Sequence, residues 1–204
     1  IAEDLHATGW IVPGVVGPKD VSRQFAELWQ ARTGAPFHLS MALRIYALER
    51  VRPPAGVAGR LRRATDNDRA LLLEWVAAFM AEAEHAPDPA RAQRVVDIHL
   101  HPDRRSLFVW EDGQPPRPVS MAAFSRPTPN GVSVSLVYTP PELRRRGYAS
   151  ACVAALSQWL LDSGRRYCFL YTDLSNPTSN HIYQAIGYEP VCDADEYKFG
   201  PARP

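Results

Sequence analysis

The sequence predicts an α/β protein of the α+β type, in which a mixed central sheet is flanked by helices. Two runs that suit strands, residues 106–111 and 118–125, are separated by Asp112-Gly113 and prolines, a pattern typical of an antiparallel hairpin. A third strand-like run, from Val132, is followed by a helical pattern and then by the strand-like residues 167–172. Because a strand, a helix and a strand joined in this order form a parallel crossover, we expect both strand orientations in one sheet.

The N-terminal residues predict a small β-α-β extension. Residues 9–18 suit a short apolar strand followed by a Gly/Pro loop, residues 21–34 have helical spacing, and residues 39–47 alternate like a half-buried strand. The stretch 52–56, Arg-Pro-Pro-Ala-Gly, reads as a linker. We therefore predict an extension at residues 1–55 and a main domain at residues 56–204. The extension is too small to fold alone and is expected to pack onto the main domain.

The main domain begins with a strand and two helices. Residues 59–64 suit a strand, and Thr65 to Asp68 offer caps for a helix whose apolar face extends toward Pro87. A second helix is predicted over residues 89–99. After the hairpin and the strand from Val132, the pattern predicts a helix from Gly147 to about Gly164, a strand at 167–172, a short helix ending at Gly187 and a last strand at 190–199.

Composition narrows the classes of function. The chain has 204 residues, 46% of them hydrophobic, and a net charge of +1, so we expect no nucleic-acid partner and no membrane partner. No apolar run approaches the ~18 residues that a membrane span needs, and no signal peptide pattern is present, which favours a cytoplasmic protein. We expect a monomer or a homodimer. The absence of an initial methionine favours a fragment of a longer protein.

Cysteines and histidines give no metal pattern. Cys152, Cys168 and Cys192 lie in apolar segments without ligand-like spacing, and we expect buried thiols. His99 and His101 flank one leucine, but no further ligands follow at zinc-like spacing. We predict no metal site.

The break between the central strand and the following helix predicts an anion site. Pro140 and Pro141 end the strand, and Arg144, Arg145, Arg146 and Gly147 then precede the helix. A helix N-terminus offers unpaired N–H groups, glycine permits close backbone approach, and arginine supplies bidentate donors, so a diphosphate is the ligand that fits best. The alternative is a solvated basic turn.

Two longer motifs resemble those of the GNAT N-acetyltransferases. Pro141 followed by Arg144-x-x-Gly147-x-Ala149 at the start of an amphipathic helix resembles the acyl-coenzyme A signature of that family. Asn176, Tyr183 and Gly187-Tyr188 resemble its second motif, an Asn after a strand and a helix that bears a Tyr and closes on Gly-Phe or Gly-Tyr. With the elements around them, the two motifs make most of residues 60–199 resemble the GNAT acyl-CoA N-acyltransferase fold.

The resemblance implies that acetyl-CoA, the co-substrate, lies in a gap between two splayed strands. The pantetheine arm would pair with the backbone of the central strand, the diphosphate would bind at the helix start, and Asn176 would bridge to the pantetheine or cap its helix. Tyr183 would donate a proton to the departing sulfur, and a backbone N–H of Val137 or its neighbour would hold the oxyanion. The implied coenzyme-binding residues are Leu136, Val137, Tyr138, Thr139, Arg144, Arg145, Arg146, Gly147, Tyr148, Ala149, Ser150 and Asn176.

The function that this resemblance implies is transfer of an acetyl group to a primary amine of a small molecule or a protein, by direct attack in a ternary complex. Two alternatives are a non-catalytic acyl-CoA-binding module and transfer of a longer acyl chain. Glu82, Asp173 and Glu142 are candidate general bases by residue type only. The extension is either a plain structural addition or the remnant of a degenerate GNAT half.

Overall fold

The computed structural model describes residues 1–83, 88–104 and 106–200. Its helices are α1 (Ala2–Ala7), α2 (Lys19–Thr33), α3 (Arg69–Ala83), α4 (Pro89–Leu100), α5 (Tyr148–Asp162) and α6 (Pro177–Ala185). Its strands are β1 (Gly14–Pro18), β2 (Phe37–Leu48), β3 (Arg60–Arg63), β4 (Leu107–Asp112), β5 (Arg117–Ser125), β6 (Gly131–Tyr138), β7 (Tyr167–Asp173) and β8 (Glu189–Phe199). Among the helices so described, none combines the length and the apolar character needed to cross a bilayer.

The chain forms two compact units that are not continuous in sequence. The first contains Ile1–Tyr46, Tyr171–His181 and the chain from Pro190, and the second contains Ala47–Leu170 and Ile182–Glu189. The first unit thus joins the N-terminal segment to two later segments. A domain boundary between residues 55 and 56 remains a prediction.

In the first unit, the N-terminal strand differs from the prediction. Strand β1 lies at Gly14–Pro18, where the sequence predicted a loop, and it pairs antiparallel with β8, with Gly14 opposite Lys198. A Cβ atom on Gly14 would lie 2.5 Å from the carbonyl oxygen of Tyr197, so the absence of a side chain permits this close pairing. The glycines that suggested a loop therefore allow a strand. Helix α1, of six residues, was not predicted.

The second unit contains the predicted mixed sheet in the strand order β7-β6-β5-β4-β3, with β7 represented by its residues up to Leu170. Strands β3 to β6 pair antiparallel in sequence, whereas β6 and β7 are parallel and are joined by α5. Helices α3 and α4 cover a core that also includes sheet residues, with Leu72, Val76, Met80, Val96, Val109 and Met121 among its buried members. The fold class predicted from the sequence is confirmed. The predicted end of α3, near Pro87, lies outside the described residues.

The predicted caps of α3 form an ion network that also reaches β4. Thr65 and Asp68 make a reciprocal capping box, and the Arg62 guanidinium donates to both Asp68 oxygens at 2.7 and 2.8 Å. Arg62 Nε also donates to Glu111 Oε1 at 2.5 Å. Both carboxylates are nearly buried and therefore need these partners, so the network fixes the start of α3 against the sheet.

His99 occupies the last turn of α4 as a buried, neutral side chain. It is 8% exposed, and its Nδ1 lies 2.6 Å from Ser106 Oγ. Burial lowers the pKa of His99 to about 4, and the positive charge of Arg104 acts in the same direction. An unfolded histidine binds its proton near pH ~6.5, so acid favours the unfolded chain.

We expect the stabilisation from neutral His99 to be fully present above about pH 6.5 and to be lost as the pH falls toward 4. The free energy of unfolding should fall by about 2 kcal/mol between pH 7 and 4.5 from this group alone. Urea denaturation at both pH values measures it. His99→Gln should reduce the fall, whereas the matched variant His101→Gln, at an exposed position, should retain it. Equal pH dependence in wild type and His99→Gln would contradict this assignment.

Candidate functional site

The central strand β6 carries a bulge near its C-terminal end. Tyr138 pairs with Met121 and Ser135 pairs with Ala123, so Leu136 and Val137 together face one residue of β5. Leu136 has a φ angle of +51°, which is rare for a residue with a branched side chain. A bulge interrupts the ladder and redirects backbone groups, and bulges are frequent beside functional sites. This one places irregular backbone in the middle of the sheet.

On its other side, β6 pairs with β7 only near the N-terminal end. The parallel register covers Gly131, Val132 and Ser133, which face residues 167–169. Beyond Ser133 the ladder ends, although β6 continues to Tyr138. Residues 135–137 are correspondingly half-buried, whereas the four residues before them are buried. The second half of β6 therefore presents an edge onto which an extended ligand rich in amides can add as a strand.

Strand β6 leads into the predicted anion site at the start of α5. A short 3-10 turn at Pro141–Leu143 ends the extended chain, and Gly147 is the N-cap of α5. No described side chain caps this helix, and its first intrahelical bond is from the N–H of Ala151 to the Gly147 oxygen at 2.9 Å. The N–H groups of Tyr148, Ala149 and Ser150 therefore point out of the helix end. These groups and the helix dipole favour a bound anion.

Gly147 is confined by its own backbone and by Val57. Its φ angle is +80°, and a Cβ atom there would lie 2.8 Å from Val57 Cγ2. A β-branched residue is strained at such an angle. The loop geometry thus depends on glycine at this position.

The side chain of Tyr148 is held by Asp112 and ties the loop to the end of β4. Its hydroxyl donates to Asp112 Oδ2 at 2.6 Å, and Asp112 Oδ1 accepts from the Gly113 N–H at 2.7 Å. The Tyr148 hydrogen bond, the Gly113 N–H and the positive charge of Arg146 hold the pKa of Asp112 below its usual range. Only the main chain of Tyr148 remains for the ligand role that the sequence suggested.

The three arginines of the loop differ in their surroundings. Arg145 and Arg146 are exposed beside the start of α5, and Arg145 has a φ angle of +64°. Arg144 instead points back across the strand end: its Nε donates to the Thr139 oxygen at 2.9 Å and its Nη2 to Glu82 Oε2 at 2.6 Å. The sequence did not indicate this pairing, because the two residues are 62 positions apart.

Tyr183 lies on α6 as a buried phenol. It is 9% exposed, its ring meets that of Tyr188 at 5.9 Å and 66°, and burial raises its pKa to about 12. The Tyr188 hydroxyl is itself 2.9 Å from Ser157 Oγ. Tyr183 is therefore a protonated hydroxyl over the whole physiological pH range.

A comparison with protein-family models finds that the Acetyltransferase (GNAT) family model matches residues 69–188. The chain belongs to the GNAT family. The matched region contains the bulged strand β6, the loop at residues 144–147 before α5, and helix α6 with Tyr183. A comparison with curated proteins finds no match.

Solved GNAT structures share the fold at low sequence identity. A putative GNAT acetyltransferase of Novosphingobium aromaticivorans DSM 12444 has a TM-score of 0.57 and 18% identity, covering 83% of this chain and 69% of its own. A GCN5-related N-acetyltransferase of Sphaerobacter thermophilus has a TM-score of 0.64 and 14% identity, covering 93% and 61% respectively. The structure of AAC(6')-Iy in complex with the bisubstrate analog CoA-S-monomethyl-acetylneamine has a TM-score of 0.50 and 18% identity, covering 65% and 91%. This chain thus spans about two thirds of the first two structures.

Asn176 lies in the first unit and caps the start of α6. Its Oδ1 accepts from the Ser179 N–H at 3.1 Å, which confirms the predicted cap. Asn180, which the sequence did not single out, donates through Nδ2 to the Asn176 oxygen at 2.7 Å and to the Asp173 oxygen at 3.0 Å. Its Oδ1 is buried and has no hydrogen-bond partner within the described ranges. A bridge from Asn176 to the pantetheine remains a prediction.

The candidate bases have different surroundings. Glu82 is paired with Arg144, Asp173 Oδ1 accepts from the Ser175 N–H at 2.8 Å, and Glu142 is exposed on the 3-10 turn. These contacts single out none of the three as a base. In the part of the chain that is described, no three His, Cys, Asp or Glu side chains are grouped as metal ligands would be.

Proposed function

We propose that the chain is an acetyl-CoA-dependent N-acetyltransferase that acts on a primary amine of a small molecule or a protein, by direct attack in a ternary complex. One observation carries this proposal: residues 134–150 first offer a bulged strand whose edge toward β7 is unpaired, and then an uncapped helix start. This order matches a pantetheine arm, which is rich in amides, followed by a diphosphate. The coenzyme-containing analog bound to AAC(6')-Iy, a structure of similar fold, supports the same ligand.

Each part of the coenzyme has protein groups that suit it. The backbone of Leu136, Val137, Tyr138 and Thr139 would pair with pantetheine, and Leu136 and Val137 of this set are half-buried. The diphosphate would bind the main chain of residues 147–150, with Arg145 and Arg146 exposed nearby. The Arg144 guanidinium could bind the diphosphate only if it also kept, or gave up, its ion pair with Glu82.

Acetyl transfer forms a C–N bond and breaks a C–S bond, so the chain must stabilise an oxyanion and supply a proton to sulfur. We assign the oxyanion to the main-chain N–H of Val137 or of its neighbour at the bulge, where the ladder is interrupted. We assign the proton to the Tyr183 hydroxyl. Burial raises the pKa of Tyr183, which makes its phenol a weaker acid but keeps it protonated. Its contribution to sulfur protonation therefore depends on the position of the hydroxyl relative to the sulfur.

The proton lost by the amine needs an acceptor. An alkylamine of pKa ~10.4 is almost fully protonated at neutral pH, so transfer requires a neutral fraction. Glu82 and Asp173 are occupied by Arg144 and by a turn, respectively, which favours a water-mediated route to solvent over direct removal by either carboxylate.

We expect coenzyme A and acetyl-CoA to stabilise the chain against heat. A ligand at 100 times its dissociation constant adds ~2.7 kcal/mol, which corresponds to several degrees in melting temperature for a domain of this size. A thermal shift assay measures this change, with desulfo-coenzyme A as a positive control and ATP as a negative one. Desulfo-coenzyme A should shift the transition nearly equally, because the contacts assigned to binding are to the pantetheine and the diphosphate, whereas Tyr183 acts on sulfur only as the thiolate departs.

A shift with the coenzymes but not with ATP would support the site, and a panel of amines followed by thiol release would then test transfer. Binding without transfer to any amine or protein lysate would favour a non-catalytic coenzyme-binding module. No shift at millimolar coenzyme would contradict the proposal.

A further inference from the structure

Arg144 has two different potential partners. In the structure its Nη2 is 2.6 Å from Glu82 Oε2, near the end of α3. It also lies only three residues before Gly147, the N-cap of the anion site. The Arg144 and Glu82 side chains are 43% and 47% exposed, so the ion pair faces solvent and can open at little cost.

The backbone fixes the base of the Arg144 side chain while leaving its charged end adjustable. Arg144 Nε donates to the Thr139 oxygen at 2.9 Å, and the guanidinium carbon is 5.7 Å from the centre of the Tyr138 ring. Tyr138 in turn packs against Trp75 at 6.2 Å, within the buried core. The inner part of the Arg144 side chain is therefore fixed, and only its terminal nitrogen atoms can exchange one anionic partner for another.

We propose that Glu82 is a positioning residue that competes with the coenzyme diphosphate for the Arg144 guanidinium. This inference rests on the proposed function. In the chain without coenzyme, Glu82 neutralises Arg144 and holds it toward α3. Coenzyme binding draws the guanidinium toward the helix start and leaves the Glu82 carboxylate unpaired beside Tyr138.

The competition arises from charge. A diphosphate that approaches Arg144 also approaches the negative charge of Glu82, which it repels, and the guanidinium interacts more weakly with each anion while it serves both. A phosphate oxygen gives a charge-assisted contact of at least the strength of a carboxylate oxygen. Loss of the Glu82 charge should therefore tighten coenzyme binding, although it removes a contact from the protein.

The test measures the dissociation constant of coenzyme A by calorimetry for wild type, Glu82→Gln, Arg144→Gln and the double variant. Because exposed ion pairs are weak, we expect Glu82→Gln to tighten binding by about threefold. Arg144→Gln should weaken binding, and the addition of Glu82→Gln to it should then change nothing, because Glu82 acts through Arg144. Glu142→Gln is the matched control, since it removes an exposed acid from the 3-10 turn without touching the pair.

Tightened binding in Glu82→Gln, absent from the Arg144→Gln background and from Glu142→Gln, would establish the competition. A purely structural role of Glu82 would weaken binding and overturn the proposal, as would unchanged affinity. Equal tightening by Glu142→Gln would also overturn it, since a general charge effect would then suffice. If neither wild type nor any variant bound coenzyme, the proposed function would fail along with this inference. If wild type bound coenzyme and Glu82→Gln bound it with the same affinity, this inference alone would be rejected.

Discussion

Gly147→Val is expected to lower coenzyme A affinity by about a hundredfold or more. A β-branched residue at a φ angle of +80° carries strain of ~1–3 kcal/mol, and its Cβ would also approach Val57 Cγ2 to 2.8 Å. The loop can relieve both only by moving, which displaces the first N–H groups of α5 from their common direction. Isothermal titration with coenzyme A measures the loss, and circular dichroism checks that the helix persists.

Gly164→Val is the matched control for this variant. Gly164 follows the other end of α5 and has a φ angle of +95°, and within the described residues no atom lies within 4 Å of a Cβ built there. The same backbone strain there should lower the melting temperature and leave coenzyme affinity unchanged. If both variants bind as wild type does, the helix-start loop is not the diphosphate site. If both lose binding equally, the effect is one of global stability.

The sequence predicted α5 and the loop before it closely, because the determinants are local. Prolines end β6, a glycine opens the helix, and a regular apolar face carries it to Gly164, just beyond its observed end at Asp162. The parallel pairing of β6 with β7 followed from the crossover between them. The helix and its loop depend on residues within one or two turns of each other, whereas the parallel pairing follows from the general rule for a strand, a helix and a strand in this order.

Features that depend on distant residues could not be predicted. No glycine or proline in the sequence marks the bulge at Leu136. The positive φ angle of this leucine depends on the strands that pair with it, and a single sequence does not show them. The pairing of Glu82 with Arg144 joins residues 62 apart, and no periodicity indicates it. The sequence therefore suggested three equivalent arginines, whereas the structure gives Arg144 separate partners.

Tyr183→Phe is expected to lower kcat by about a hundredfold and to leave the coenzyme dissociation constant nearly unchanged. A general acid that acts only as the thiolate departs contributes to the transition state and little to the ground state, with typical effects of ~10²–10⁴ in rate. The ring of Tyr183 is retained in phenylalanine, so its packing against Tyr188 persists. Thiol release under saturating acetyl-CoA, combined with calorimetry, separates the two quantities once an acceptor amine is known.

Tyr188→Phe supplies the control, because it is the same change on the neighbouring buried ring. That variant leaves Ser157 Oγ without its 2.9 Å partner and should lower the melting temperature while retaining kcat.

The pH dependence gives a further check on Tyr183. Since burial raises its pKa to about 12, the phenol stays protonated, and wild-type kcat should show no fall from Tyr183 below about pH 11. A fall in kcat with a midpoint near pH ~9 that vanished in Tyr183→Phe would contradict the buried, protonated state from which the donor role is derived. Unaltered turnover in Tyr183→Phe would remove this residue from the mechanism and leave sulfur protonation to water.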